Sequence, residues 1–264
     1  MRISGERVTT AAHGFNPTWQ RHVAAYALCA PLLPSGKVLD VGCGIGHSYQ
    51  LLEPRETVGV DIDPAVLAGQ DRETRVADMR ALPFPDGAVD GVISVQAIEH
   101  VPDPEGAVAE ARRVLRSGGV AIFVTPNRLT FGPPEEVIDP YHYIEFSAAE
   151  LRALCERHFD RVEFRGLFGS QRYLDIVASE LARLNGVLRL DPLGARRLLP
   201  RSIRKRLYDW GLRRWRNTAN GEEEAIAQAD FELRGAPIEE ALDLVAICHV
   251  EEAVDGLART PAGY

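Results

Sequence analysis

What the chain lacks narrows its class before any motif is read. It has only four cysteines in 264 residues, Cys29, Cys43, Cys155 and Cys248, and no two make a Cys-x-x-Cys pair. Each sits in an apolar or glycine-rich setting, which argues against a disulfide frame or zinc site and reads as reduced thiols. No apolar run approaches the ~18 residues that would suggest a transmembrane helix. Met1 to Phe15 is polar and has no apolar signal core, so a cytoplasmic protein is expected. Basic residues number 30 against 38 acidic, and a net charge of −8 argues against nucleic acid as the main partner. Of the basic residues only Lys37 and Lys205 are lysine, and no internal repeat or low-complexity stretch is visible.

What is present fits an α/β protein. Hydrophobic residues make up 45% and charged residues 26%, an ordinary globular balance with length enough for one core and an insertion. Pro17 to Leu33 reads as an amphipathic helix, and Lys37 to Val41 as a buried strand meeting glycines. A strand ending at Asp61, a helix from Pro64, a short strand ending near Asp78, a strand Val89–Val95 and a helix Pro104–Leu115 follow. Gly118-Gly119 reads as a turn and Val120–Thr125 as another strand. This alternation implies βαβ units and a mostly parallel, doubly wound sheet. Ser147 to Arg157 reads as a helix with a Ser147/Glu150 capping box, and Arg161–Phe164 as a sixth strand. Leu242–Val250 reads as a seventh, antiparallel strand, with a helical insertion between the last two. The expected division is a cap segment 1–35, a core 36–169, an acceptor lid 170–240 and a last strand with tail 241–264.

The sharpest local feature is Asp40-Val-Gly42-Cys-Gly44-Ile-Gly46, which is read as following a strand and opening a helix. Glycines there permit a tight turn and close approach of a ligand to the backbone. Twenty-one residues after Asp40, at the end of the next strand, Asp61 could accept from two ribose hydroxyls. A dinucleotide loop would want glycine at position 47, where the chain has His47. Asp40 would repel a pyrophosphate but could anchor a cationic amino acid, directly or through water.

These residues carry a resemblance. Val-Leu-Asp-Val-Gly-Cys-Gly-Ile-Gly, Val-Gly-Val-Asp-Ile-Asp-Pro, Ala-Asp-Met-Arg-Ala-Leu-Pro-Phe-Pro-Asp and Glu-His-Val-Pro-Asp-Pro resemble the motifs of class I S-adenosylmethionine-dependent methyltransferases. The resemblance covers residues 37–127 and implies a Rossmann-like methyltransferase fold with S-adenosylmethionine as cofactor. It implies that Asp61 holds the ribose, that Asp78 reads the adenine amino group beside Met79, and that Gly42 and Gln96 line the methionine end. Asp40, Cys43, Gly44 and Ile62 complete the implied cofactor contacts. Outside the core, Ser4-Gly-Glu-Arg7, Arg21-His22, Thr125-Pro-Asn-Arg128 and Tyr141-His-Tyr-Ile-Glu-Phe146 resemble actinobacterial sugar O-methyltransferases. Arg189 to Pro200 is similar to those acting in mycobacterial methylmannose polysaccharide biosynthesis. The acceptor implied is a small molecule or an oligosaccharide hydroxyl.

A sugar hydroxyl is a weak nucleophile, so its methylation calls for a base or a metal. His142 is the expected base, oriented by Glu145 or Asp139, and His100 is weighted as a brace for the loop after the fourth strand. Glu99, Asp139, His142 and Glu145 are the candidate ligands if a divalent metal such as Mg is used. In the insertion, Arg196 to Arg216 holds nine basic residues and a stripe of Leu199, Ile203, Leu207 and Trp210. It reads as a lid packed on the domain or a homodimer contact; a grip on an anionic acceptor or a membrane surface is the alternative. C- or N-methylation of a quinone, lipid or small natural product, a nicotinamide oxidoreductase, and an inactive cofactor-binding scaffold are the rival functions.

Overall fold

The computed structural model describes residues 16–131, 137, 139–188, 199–216 and 221–252. Eight strands form one sheet in the order β3-β2-β1-β4-β5-β8-β6-β7. They are β1 Lys37–Val41, β2 Glu56–Asp61, β3 Glu73–Val76, β4 Val89–Val95, β5 Leu115–Pro126, β6 Arg161–Gly169, β7 Phe231–Arg234 and β8 Asp243–His249. The helices are α1 Asn16–Cys29, α2 Pro64–Leu67, α3 Pro104–Val114, α4 Arg128–Phe131, α5 Ala148–Glu156, α6 Gln171–Leu188, α7 Arg201–Arg216 and α8 Gly221–Glu224. Strands β1 to β5 pair in parallel, and β8 runs antiparallel between β5 and β6. The Rossmann-like expectation holds, with one addition. The segment between β6 and β8 is not wholly helical; it supplies β7, an eighth strand on the edge of β6.

The apolar runs that read as strands are buried on both faces, as parallel strands covered by helices must be. Leu39, Ile93 and Ile122 are fully enclosed, each contributing about 1.5–3 kcal/mol by removal from water. The capping box of α5 is present, with Ser147 and Glu150 reciprocally bonded.

Three local readings change. The glycine loop does not open an α-helix but leads into a 3₁₀ turn, Tyr49–Leu52. Pro54 forces the preceding residue into extended backbone, and Glu53 has φ −56 and ψ 148. Only nine residues then separate Gly46 from β2, too few for a helix and a return. The helix from Pro64 stops at Leu67, before Gly69 with φ +83. Gly118, at φ +75, lies within the long β5 where its register against β4 shifts.

Candidate active site

A cavity of about 400 Å³ lies beyond the carboxyl ends of β1, β2 and β4, the usual ligand position in an open parallel sheet. Its floor is the glycine loop. Gly42 N and Cys43 N both donate to Val60 O, at 2.8 and 3.1 Å, and clamp the loop to β2. Gly42 has φ +75, and a Cβ there would stand 2.4 Å from Ala97 Cβ. At Gly44, φ +53, an added Cβ would meet nothing within 4 Å, so that face is open for close approach of a ligand. Asp61 accepts from Gly44 N at Oδ2 and from Asp63 N at Oδ1, each at 2.9 Å. A carboxylate has about four lone-pair sites, so each oxygen keeps capacity for a hydroxyl donor.

Most expected cofactor residues come together here. Gly42, Cys43, Gly44, Asp61, Ile62, Asp78, Met79 and Gln96 all line the cavity. Asp78 is held by its neighbour Arg80, whose Nη2 lies 2.6 Å from Oδ2, and that contact keeps its carboxyl below the usual range. Asp40 is not among the residues lining the cavity. It is 1% exposed, and its oxygens take the Tyr26 hydroxyl and an Arg72 N–H, both at 2.7 Å. Asp40, expected to anchor the cofactor's amino-acid end directly or through water, is thus paired with Arg72 beneath the loop.

Gln96 has φ +51, a left-handed conformation that costs a non-glycine residue stability and persists only where the surroundings impose it. Here Gln96 N donates to Val124 O at 2.7 Å and its side chain donates to Asp243 Oδ1 at 2.6 Å. Arg21, on α1, closes the same buried group with a two-pronged contact to Asp243. No motif flags Asp243, which sits 147 residues from Gln96.

Histidines crowd the other wall. His22, His47 and His100 line the cavity, with Tyr26 and Tyr143. Burial pushes His47 down to about 4 and His22 well below the usual histidine value, so both are neutral at pH 7. Trp19 packs on His47 with ring centroids 4.4 Å apart.

The expected base does not reach the cavity wall. His142, Glu145 and Asp139 are all buried, and none of them lines the cavity. His142 Nδ1 is 2.9 Å from Glu145 Oε1. Burial opposes charge on His142, but the Glu145 hydrogen bond and the carboxylates of Glu99 and Asp139 outweigh it and raise its pKa. His100, read as a brace, stands between His142 and the cavity, the two rings meeting edge to face at 4.9 Å. The two clusters read separately in the sequence are one group. Tyr143 N donates to the backbone oxygen of Glu99 at 2.8 Å, and Thr125 Oγ1 donates to Glu99 Oε2 at 3.0 Å.

Helix α7 packs over this loop with its polar and aromatic side. Arg201 donates to Pro140 O and His142 O, both at 2.8 Å, and lies 3.8 Å over the Tyr143 ring. Tyr208 donates to Asp139 at 2.9 Å and Tyr141 to Asp209 at 2.8 Å. The stripe Leu199, Ile203, Leu207 and Trp210 faces outward and is exposed. Ser4 to Arg7 and most of Arg189 to Pro200 lie outside the described residues. No described helix is long and apolar enough to cross a membrane.

Comparison with known proteins agrees with the fold. Residues 39–123 match the family model described as a methyltransferase domain. A probable S-adenosylmethionine-dependent methyltransferase of Mycolicibacterium smegmatis is 32% identical, over 93% of both chains. Another, from Mycobacterium tuberculosis, is 32% identical over 94% of this chain and 89% of its own. Among solved structures, a Thermotoga maritima SAM-dependent methyltransferase, described as a possible histamine N-methyltransferase, superposes with a TM-score of 0.61. It covers 90% of this chain and 92% of its own at 17% identity, a likeness of fold alone.

Proposed function

This chain belongs to the S-adenosylmethionine-dependent methyltransferases, and from that footing we propose that it methylates a hydroxyl of a sugar or oligosaccharide. When bound, the cofactor supplies an electrophilic methyl group for in-line transfer. Asp61 would take the ribose hydroxyls, Asp78 and Met79 the adenine, and Gly42, Cys43, Gly44, Ile62 and Gln96 the remainder of the cofactor. The open face of Gly44 and the spare lone pairs of Asp61 support that assignment. Asp40 serves as a positioning residue for the loop.

The observation that carries the acceptor reading is His100 on the cavity wall, backed by buried carboxylates. A hydroxyl needs a group that takes or polarises its proton, whereas an amine or an activated carbon needs less help. Tyr143 stands beside it on the wall, 51% exposed, and offers an aromatic face to the apolar side of a sugar ring. His142 and Glu145 hold the imidazole environment from behind. Residues 170–240, with α7 over Tyr143, are assigned as the acceptor lid, which is where selectivity between acceptors would reside.

The test is transfer of labelled methyl to a panel of mono- and oligosaccharides, phenols, quinones and fatty acids. Labelling of a glycoside hydroxyl is expected. Preference for a phenol, quinone or amine over every glycoside would overturn the acceptor assignment and leave the family membership standing.

A further inference from the structure

We propose that Glu99, His100 and His142 form a binding site for a divalent transition-metal ion at the edge of the cavity. One donor atom from each lies within 4.8 Å of the other two. The inference rests on the methyltransferase reading and specifies how the acceptor hydroxyl is activated: His100 then serves as a ligand, and the ion does the polarising.

Glu99 gives the strongest sign. It is 0% exposed. Its Oε2 takes the Thr125 hydroxyl, but its Oε1 is buried with no hydrogen-bond partner. A buried carboxylate oxygen without a donor is costly, and a cation is the natural partner for it.

The imidazoles present the matching atoms. His100 Nδ1 is 3.3 Å from the Tyr141 carbonyl oxygen. That oxygen can only accept, so the ring proton belongs on Nδ1 and the lone pair on Nε2. His100 Nε2 stands 4.0 Å from Glu99 Oε1, an acceptor facing an acceptor with room for a cation between them. On His142 the Glu145 carboxylate likewise fixes the proton on Nδ1 and leaves Nε2 as the ligand atom. A carboxylate behind a metal-binding histidine is the usual second support of such a site.

Two imidazoles and one carboxylate suit a first-row transition ion such as Mn²⁺, Fe²⁺, Co²⁺ or Zn²⁺ better than Mg²⁺, which prefers oxygen. Asp139 is taken up by Tyr141 N at 2.8 Å and the Tyr208 hydroxyl at 2.9 Å, and Glu145 by His142. Glu145 therefore supports His142 from behind, at Nδ1. Asp139 Oδ2 stands 4.0 Å from His142 Nε2, with its oxygens already taken by Tyr141 N and Tyr208, and His100 takes the ligand place in the group of three. Because His100 lines the cavity, the ion would keep an open position toward it, where a bound hydroxyl becomes more acidic.

The full chain, stripped with a chelator, is titrated with Co²⁺ and followed by visible absorption and by bound-metal analysis. One Co²⁺ per chain is expected, with d–d bands that report nitrogen ligation. Glu99→Gln and His142→Gln should each weaken binding at least ~100-fold, and Glu145→Gln about 10–100-fold. No saturable binding by wild type up to about 1 mM Co²⁺, or binding that the Glu99 and His142 substitutions leave unchanged, would overturn the site. Calorimetry with S-adenosylhomocysteine on the same samples keeps the two readings apart. Cofactor binding without cobalt binding removes the metal alone; cobalt binding without cofactor binding removes the methyltransferase reading.

Discussion

Arg21 and Asp243, 222 residues apart, form a buried two-pronged ion pair, Nε to Oδ2 at 2.7 Å and Nη2 to Oδ1 at 2.5 Å. The pair joins α1 to the start of β8, and through Gln96 it reaches the cavity wall. Removing one member leaves a buried charge uncompensated. Asp243→Asn should cost about 3 kcal/mol of stability by urea unfolding, and should weaken S-adenosylhomocysteine binding because Gln96 loses its anchor. A variant with wild-type midpoint and affinity would show that the network does neither.

Asp61 accepts two backbone N–H groups and faces the cavity. Asp61→Ala should weaken S-adenosylhomocysteine by about 1.5–3 kcal/mol, the scale of hydrogen bonds to a charged acceptor. Calorimetry on the folded variant decides; an unchanged affinity removes the ribose role.

His100 should show its role in the rate. His100→Gln should lower kcat at least ~100-fold with cofactor affinity retained, whether His100 acts as base or as ligand. A turnover within a few-fold of wild type would place activation of the hydroxyl elsewhere on the wall.

His47 sets a pH dependence of stability. Its folded-state pKa, about 4, lies below the unfolded value near 6.5, so the unfolded chain binds more protons between those limits. Stability is therefore full above about pH 6.5 and falls as pH drops toward 4. Denaturant midpoints at pH 7 and pH 5 measure the slope, and His47→Asn should flatten it. An equal slope in the variant would assign the acid sensitivity to other groups.

Much of the fold was readable from local pattern. Val38 to Val41 running into Gly42, and Val58 to Val60 running into Asp61, mark strand ends by hydrophobic run and breaker alone. The capping box at Ser147 and the antiparallel last strand were legible for the same reason. The short reach of α2 and the missing helix after Gly46 were less so. They depend on how little chain remains before β2 and on where Gly69 turns, and both compete with helix pattern over a few residues.

The sequence by itself determined the class of protein: alternating strands and helices, a glycine loop whose positive φ values suit only glycine, and an acid at the end of β2. These are short-range properties, fixed by backbone sterics and by periodicity within single elements. The tertiary structure decided which side chains face the cavity. It turned Asp40 away to Arg72, 32 residues on, and set Gln96 against Asp243. It also placed His100 on the wall with His142 behind it. A side chain's facing depends on packing between segments tens to hundreds of residues apart, and no spacing along the chain encodes that distance.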